Sequence, residues 1–159
     1  ELKFGTLFID ADLDGRLDVV SANGHLENEI SKVQASQTYE QAPHFFWNCG
    51  PKSKTEFCPV PRDKCGEDFL RKMVGRGAAT ADIDGDGDLD LLFAATGAAP
   101  RLLRNDQKLG NHWLRVDVRG LKGLRSAIGA RIEIESDAGR FTTEVIPTRG
   151  YLSQSESIA

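Results

Sequence analysis

One acidic nine-residue segment occurs twice in the chain and limits the folds that the sequence can adopt. Residues 10–18, Asp-Ala-Asp-Leu-Asp-Gly-Arg-Leu-Asp, return in the same register as residues 82–90, Asp-Ile-Asp-Gly-Asp-Gly-Asp-Leu-Asp. In both copies carboxylates stand at positions 1, 3, 5 and 9, with glycine at position 6. A hard cation offsets the repulsion among such crowded charges, and calcium takes about six to eight oxygen ligands. The repeat therefore predicts two calcium sites.

The predicted ligands are the aspartate carboxylates together with the backbone carbonyl groups at position 7, which belong to Arg16 and Asp88. The full set is Asp10, Asp12, Asp14, Arg16 and Asp18 in the first loop and Asp82, Asp84, Asp86, Asp88 and Asp90 in the second. Glycine at position 6 supplies the sharp turn, often at positive φ. If the ions are structural, dissociation constants of about 10⁻⁴–10⁻³ M are expected, as in extracellular modules.

The sequence around the loops distinguishes between kinds of calcium site. An EF-hand requires a glutamate at position 12 and a helix on each side. Position 12 is Ser21 in the first copy and Phe93 in the second. The flanking segments are instead short and apolar, as in strands: residues 5–9, 17–20, 78–81 and 89–93. Strand-loop-strand sites are therefore predicted. The alternative is that the Asp- and Gly-rich segments are only solvated turns.

The acidity of the chain is concentrated in these loops. Nine of its 24 acidic residues lie there, and the formal net charge is −4. A local cation site explains this pattern better than a general negative field, and it argues against nucleic acid as a partner. A hydrophobic content of 40% suffices for a globular core. No stretch approaches the ~20 apolar residues of a membrane span.

Three cysteines, Cys49, Cys58 and Cys65, lie close together in a segment rich in proline and lysine. They lack the C-x-x-C spacing of zinc sites, and the nearby His44 completes no familiar ligand pattern. A disulfide between two of them would fit an oxidising compartment. Three unpaired thiols are the alternative.

The remaining pattern predicts an all-β fold. Residues 44–47 are predicted to form a short buried strand, and residues 66–73 one or two helical turns. After residue 110, period-two alternation predicts a small antiparallel β module. Its candidate strands are residues 113–119, 131–135 and 141–146.

Several of these residues resemble known families. Phe4-Gly5, the two acidic loops and residues 97–100 resemble FG-GAP (VCBS-type) repeats, the calcium-loop units of β-propellers. The C-terminal part resembles the successive motifs of an ASPIC/UnbV domain, as in the cartilage acidic protein-like family. The matching segments are residues 111–116, 126–131 and 150–155.

The resemblance implies a secreted, cell-surface or periplasmic protein made of partial β-propeller blades and a C-terminal ASPIC/UnbV module. Residues 1–108 would form the repeats, with an irregular cysteine-containing insert at about 29–72, and residues 109–159 a truncated module. A propeller needs four or more blades, at ~40–45 residues each. The chain is therefore expected to be a C-terminal piece of a longer protein, with exposed strand edges that favour self-association.

Two classes of function follow. The first is a calcium-braced scaffold that mediates interaction with an extracellular protein or glycan, without nucleic acid and without a membrane span. The second, suggested by the bacterial relatives, is an accessory or enzymatic role in enediyne-type secondary-metabolite biosynthesis. No nucleophile elbow, H-E-x-x-H motif or phosphate loop before a helix is present. We therefore predict a protein that is not an enzyme, with no catalytic residues.

Single histidines, serines and tryptophans are expected to have structural rather than catalytic roles. His25 and His112 are expected to be hydrogen-bonded turn or strand residues rather than catalytic bases. Ser153 and Ser155 are expected to lie in strands or turns rather than to act as nucleophiles. The two tryptophans, Trp47 and Trp113, are expected in the core.

Overall fold

The computed structural model describes residues 1–120, 127–137 and 139–156 and confirms the all-β class. Ser126, which begins one of the C-terminal motifs, lies outside these residues. In chain order the elements are β1 (Lys3–Ile9), β2 (Asp18–Asn23), α1 (Ile30–Val33), β3 (His44–Asn48), β4 (Phe57–Pro59), a 3₁₀ turn (Arg62–Lys64), α2 (Glu67–Leu70), β5 (Gly75–Ala81), β6 (Asp90–Ala95), β7 (Arg101–Leu103), β8 (Arg131–Ser136) and β9 (Gly139–Glu144).

Two antiparallel sheets have the form of partial propeller blades. The first has four strands in the order β1-β2-β3-β4, and the second has three in the order β5-β6-β7. Each acidic loop joins the first two strands of its sheet, which pair Ile9 with Asp18 and Ala81 with Asp90 at the loop ends. Both strand pairs carry a bulge near their start. The repeat seen in the sequence is therefore a repeat of structure.

The core lies where the two blades meet. Leu7 and Val20 of the first blade and Ala78 and Phe93 of the second are buried in one apolar cluster. Full burial of side chains as large as Leu7 or Phe93 contributes about 1.5–3 kcal/mol each. The blades approach so closely that a Cβ at Gly24 would lie 2.7 Å from the backbone nitrogen of Gly75.

Predictions for the segment between the loops hold in part. The strand expected at residues 44–47 is β3, although its side chains are only half-buried. The helical prediction at residues 66–73 is one turn, α2. Cys49 and Cys58 form a disulfide with a Cα–Cα distance of 6.0 Å, and Cys65 is free. The disulfide closes the hairpin of β3 and β4.

The C-terminal module departs from the prediction. Strands β8 and β9 correspond to two of the three expected strands and form a two-stranded sheet. The strand predicted at residues 113–119 is wrong, because that segment pairs with no strand in the described part of the chain. The core position predicted for Trp113 is also wrong, since this residue is 47% exposed. Alternation shows which side chains share a face but does not supply a neighbouring strand.

None of the helices in the described ranges has the length and apolar character needed to cross a bilayer.

Candidate metal centres

The first acidic loop gathers the side chains at positions 1, 3 and 5. Carboxylate oxygens of Asp10, Asp12 and Asp14 lie within 4.8 Å of one another. The two oxygens of Asp10 accept hydrogen bonds from the backbone nitrogens of Asp14 (3.0 Å) and Gly15 (2.9 Å). Gly15 has a φ of 84°, a backbone conformation that residues with a side chain rarely adopt. The loop curls around its own first carboxylate.

The second loop repeats this arrangement. Asp82, Asp84 and Asp86 bring carboxylate oxygens within 4.8 Å of one another, and Asp82 Oδ1 accepts a hydrogen bond from the backbone nitrogen of Gly85 at 2.8 Å. Gly87, at position 6, has a φ of 96°. Sequence reasoning thus identified two clusters that the fold brings together.

The aspartates at position 9 fasten each loop to its blade. Asp18 accepts hydrogen bonds from the backbone nitrogens of Ala11 (3.1 Å) and Asn48 (2.8 Å). Asp90 makes the same pair of contacts with Ile83 (2.9 Å) and Asn105 (2.8 Å). Both carboxylates are almost completely buried. A carboxylate oxygen has two lone pairs, so these contacts leave room for a cation ligand.

Two asparagines have a structural part in these centres that the sequence did not reveal. Asn48 follows Trp47 at the end of β3, and Asn105 follows shortly after β7, so they occupy equivalent places in the two blades. The side chain of Asn48 donates to the carbonyl of Leu17 at 3.2 Å. That of Asn105 donates to the carbonyl of Ala11 at 2.8 Å and so links the second blade to the first loop. The matching signal was an asparagine at the end of the third strand of one blade and just beyond it in the other.

Burial makes the ionised carboxylates of the loops costly. It raises the pKa of Asp18 to about 6 and, together with the neighbouring Asp86 charge, that of Asp88 to about 7. Burial also raises the pKa values of Asp10 and Asp12, with smaller contributions from neighbouring carboxylates. A bound cation would favour the charged forms and offset this cost.

Arginine side chains neutralise part of the negative charge. The guanidinium of Arg16 pairs with Asp14 in the first loop. In the second, Arg104 lies 3.6 Å from Asp84 and Arg115 lies 3.1 Å from Asp82.

Two buried oxygen atoms test whether a cation fits. Within the described residues, Asp12 Oδ1 and Asp88 Oδ1 are buried and accept no hydrogen bond. A buried carboxylate oxygen without a partner is costly, and a cation ligated by it would remove that cost. The all-oxygen donor set is one that hard divalent cations prefer. Asp12 belongs to the first cluster, and the second cluster has the same three-carboxylate arrangement. Both clusters could therefore hold a metal ion. The assignment of all ten residues as ligands, including the carbonyl groups of Arg16 and Asp88, stays a prediction.

Three of the histidines and serines weighed as catalytic candidates make hydrogen bonds within turns or to a strand, and the fourth is exposed. His25 accepts a hydrogen bond at Nδ1 from the backbone nitrogen of Glu27, as a turn residue would. Ser153 donates to the carbonyl of Tyr151, whereas Ser155 Oγ contacts the backbone nitrogen and hydroxyl of Thr80. His112 lies exposed between Asn111 and Trp113.

Fold and site together define a β-blade protein with two equivalent acidic loops. Comparison with protein families places an FG-GAP repeat at residues 74–111 and an ASPIC and UnbV segment at residues 120–159. The chain thus carries the two kinds of unit that its motifs resemble. No curated protein and no solved structure gives a significant match.

Proposed function

We propose that this chain is a calcium-braced scaffold from an extracellular or periplasmic protein, in which two structural ions fix the loops that join the paired strands. The observation that carries the proposal is the matching pair of three-carboxylate clusters at the same place in two blades. Repetition of the whole arrangement, including the position 9 contacts, favours a ligand-binding role over chance crowding of aspartates.

Calcium is the cation that the donor set favours. Its flexible coordination by six to eight oxygens suits a curled loop of carboxylates and carbonyls, whereas Mg²⁺ requires near-ideal octahedral geometry. FG-GAP repeats often bind calcium and typically belong to extracellular interaction scaffolds. The Cys49–Cys58 disulfide agrees with an oxidising compartment. A protein or glycan is the proposed partner.

Thermal unfolding with added ions tests this proposal. At about 10 mM calcium, a dissociation constant of ~10⁻⁴–10⁻³ M adds about 1.4–2.7 kcal/mol per site. For a chain of this size, that amounts to a rise in Tm of about 3–10 °C per site. Magnesium at the same concentration should give a much smaller rise.

Variants separate the two sites. Asp14→Ala and Asp86→Ala should each remove about half of the calcium-dependent rise in Tm, while Asp63→Ala, at an exposed acid outside the loops, should keep all of it. An equal rise in all three variants would show that the loops are not the sites. Loss of the whole rise from one substitution would mean that the two loops share an ion.

A further inference from the structure

The glycine turn of each acidic loop is covered by an aromatic ring from the C-terminal part of the chain. A Cβ built on Gly15 would overlap the ring of Phe141, and one built on Gly87 would overlap the indole of Trp113. Both glycines occupy position 6. The two rings come from parts of the chain on either side of residues 120–130, yet they reach equivalent points in the two blades.

Polar contacts accompany each ring. At the first loop, Asn111 Nδ2 donates to the carbonyl of Asp12 at 2.8 Å. At the second, Arg115 donates to Asp82 Oδ2 and to Glu156 Oε2, each at 3.1 Å. Glu156 Oε1 accepts a hydrogen bond from the backbone nitrogen of Asp82 at 3.3 Å. Both loops are therefore held at a ring contact and at a polar contact.

We propose that Asn111, Trp113, Arg115, Phe141 and Glu156 form a C-terminal clamp, whose docking and cation binding at the two loops strengthen each other. Trp113 and Phe141 are positioning residues, because each ring packs against the glycine turn of its loop. The inference rests on the proposed function, because it concerns the same two loops. It adds that the ASPIC/UnbV region and the residues just before it regulate the affinity of the FG-GAP loops.

The physical basis is the cost of ordering a glycine turn. A glycine-containing loop samples many conformations, and binding a cation requires one of them. A ring packed against the glycine restricts the turn before the cation arrives, so less ordering remains to be done. Linkage requires the converse, in which a bound cation stabilises the docked clamp by the same factor.

Arg115 holds one of the two carboxylate oxygens of Asp82. It binds Asp82 through Oδ2, whereas Oδ1 faces the turn and accepts from Gly85. Glu156 in turn holds Arg115, which is 35% exposed in its side chain. The arginine thus fixes the first carboxylate of the loop in place. Since the second loop has both the indole and this ion-paired contact, we expect it to be the more strongly coupled loop.

Calorimetric calcium titration of single-site variants of the full chain tests the clamp. Asp14→Ala leaves the second loop to be measured alone, and Asp86→Ala leaves the first. Adding Trp113→Ala to Asp14→Ala should raise the calcium dissociation constant about fivefold or more. Trp113→Phe, which keeps an aromatic ring, should restore most of the affinity. Phe141→Ala should weaken the first loop when added to Asp86→Ala and leave the second loop unchanged when added to Asp14→Ala.

A glycine pair provides the matched control. Gly85 and Gly87 both have positive φ, but a Cβ at Gly85 would meet open space. Gly85→Ala therefore adds backbone strain alone, whereas Gly87→Ala also displaces Trp113. The clamp predicts that Gly87→Ala weakens calcium binding more than Gly85→Ala does, and that the difference disappears in the Trp113→Ala background.

Tryptophan fluorescence gives a readout that is independent of affinity. In a Trp47→Phe background, calcium should shift the emission of Trp113 with the same midpoint as loop binding. The clamp is wrong, and the proposed function stands, under three joint results. Both single-site parents bind calcium, adding Trp113→Ala leaves the calcium dissociation constant unchanged, and calcium does not shift the emission of Trp113. If neither parent binds calcium, the proposed function fails, and the clamp fails with it.

Discussion

At the scale of single residues, the aspartates at positions 3 and 9 of the first loop differ in hydrogen bonding. Asp18 accepts two backbone hydrogen bonds, whereas the buried Oδ1 of Asp12 accepts none from the described residues. Asp18 stabilises the fold through its hydrogen bonds, whereas a bound cation would stabilise the buried charge of Asp12. Replacing each by asparagine should therefore have different effects.

In chelator, Asp18→Asn should lower the free energy of unfolding by about 1–3 kcal/mol, because its amide nitrogen cannot accept the second hydrogen bond. Asp12→Asn should be neutral or slightly stabilising there, since it removes a like charge, but it should lose the calcium-dependent gain of its loop. Urea unfolding with chelator and with calcium measures both effects. Equal destabilisation by the two variants in chelator would contradict these roles.

The residue spacing was sufficient to predict which aspartates come together. Positions 1, 3 and 5 converge in both loops because the curled backbone places alternate side chains on its inner face. The spacing could not reveal Asn105, which reaches the carbonyl of Ala11 from the other blade. It also could not reveal Phe141 and Trp113 over the glycine turns. Those contacts depend on how distant segments pack, which local pattern does not encode.

At the scale of elements, the Cys49–Cys58 disulfide ties the hairpin of β3 and β4. The sequence predicted that two of the three cysteines could form a disulfide, but it did not identify the pair. The pairing follows from the strand register, which aligns Trp47 with Cys58. The closed loop is short, so the chain-entropy contribution is moderate.

Replacing both Cys49 and Cys58 by serine should lower the free energy of unfolding by roughly 2–3 kcal/mol. Cys65→Ser, which breaks no disulfide, should change it much less. Denaturant unfolding of the two variants, without reductant, makes the comparison. Equal stability of the double variant and the wild-type chain would show that this hairpin does not limit unfolding.

The segment at residues 113–119 shows why alternation alone overpredicts strands. Its side chains alternate, and two of them are fixed by the second loop: Trp113 by Gly87 and Arg115 by Asp82. Within the described residues, the segment forms no backbone ladder with any strand. The segment therefore packs through side chains rather than through a backbone ladder.

At the scale of the whole molecule, two blades pack side by side and leave sheet edges available. In the described residues, β4 forms one edge of the first sheet and β7 one edge of the second, and Leu102 of β7 is 57% exposed. An unpaired edge with an exposed apolar side chain favours pairing with another copy. We therefore propose that the chain self-associates through such an edge, as the sequence predicts.

Sedimentation over a range of protein concentrations should show a monomer in exchange with a larger species. Leu102→Lys should shift that equilibrium toward monomer, because a lysine on an edge strand opposes pairing. Leu26→Lys, at another exposed leucine outside the strands, should not. A monomer at every concentration would contradict association through this edge.

Calorimetric titration of chelator-treated protein with calcium tests directly whether the two loops bind ions. The two equivalent loops predict binding of two ions per chain, with dissociation constants of about 10⁻⁴–10⁻³ M. Asp14→Ala and Asp86→Ala should each reduce the stoichiometry to one. Absence of calcium binding in the wild-type chain would show that both acidic loops are only solvated turns.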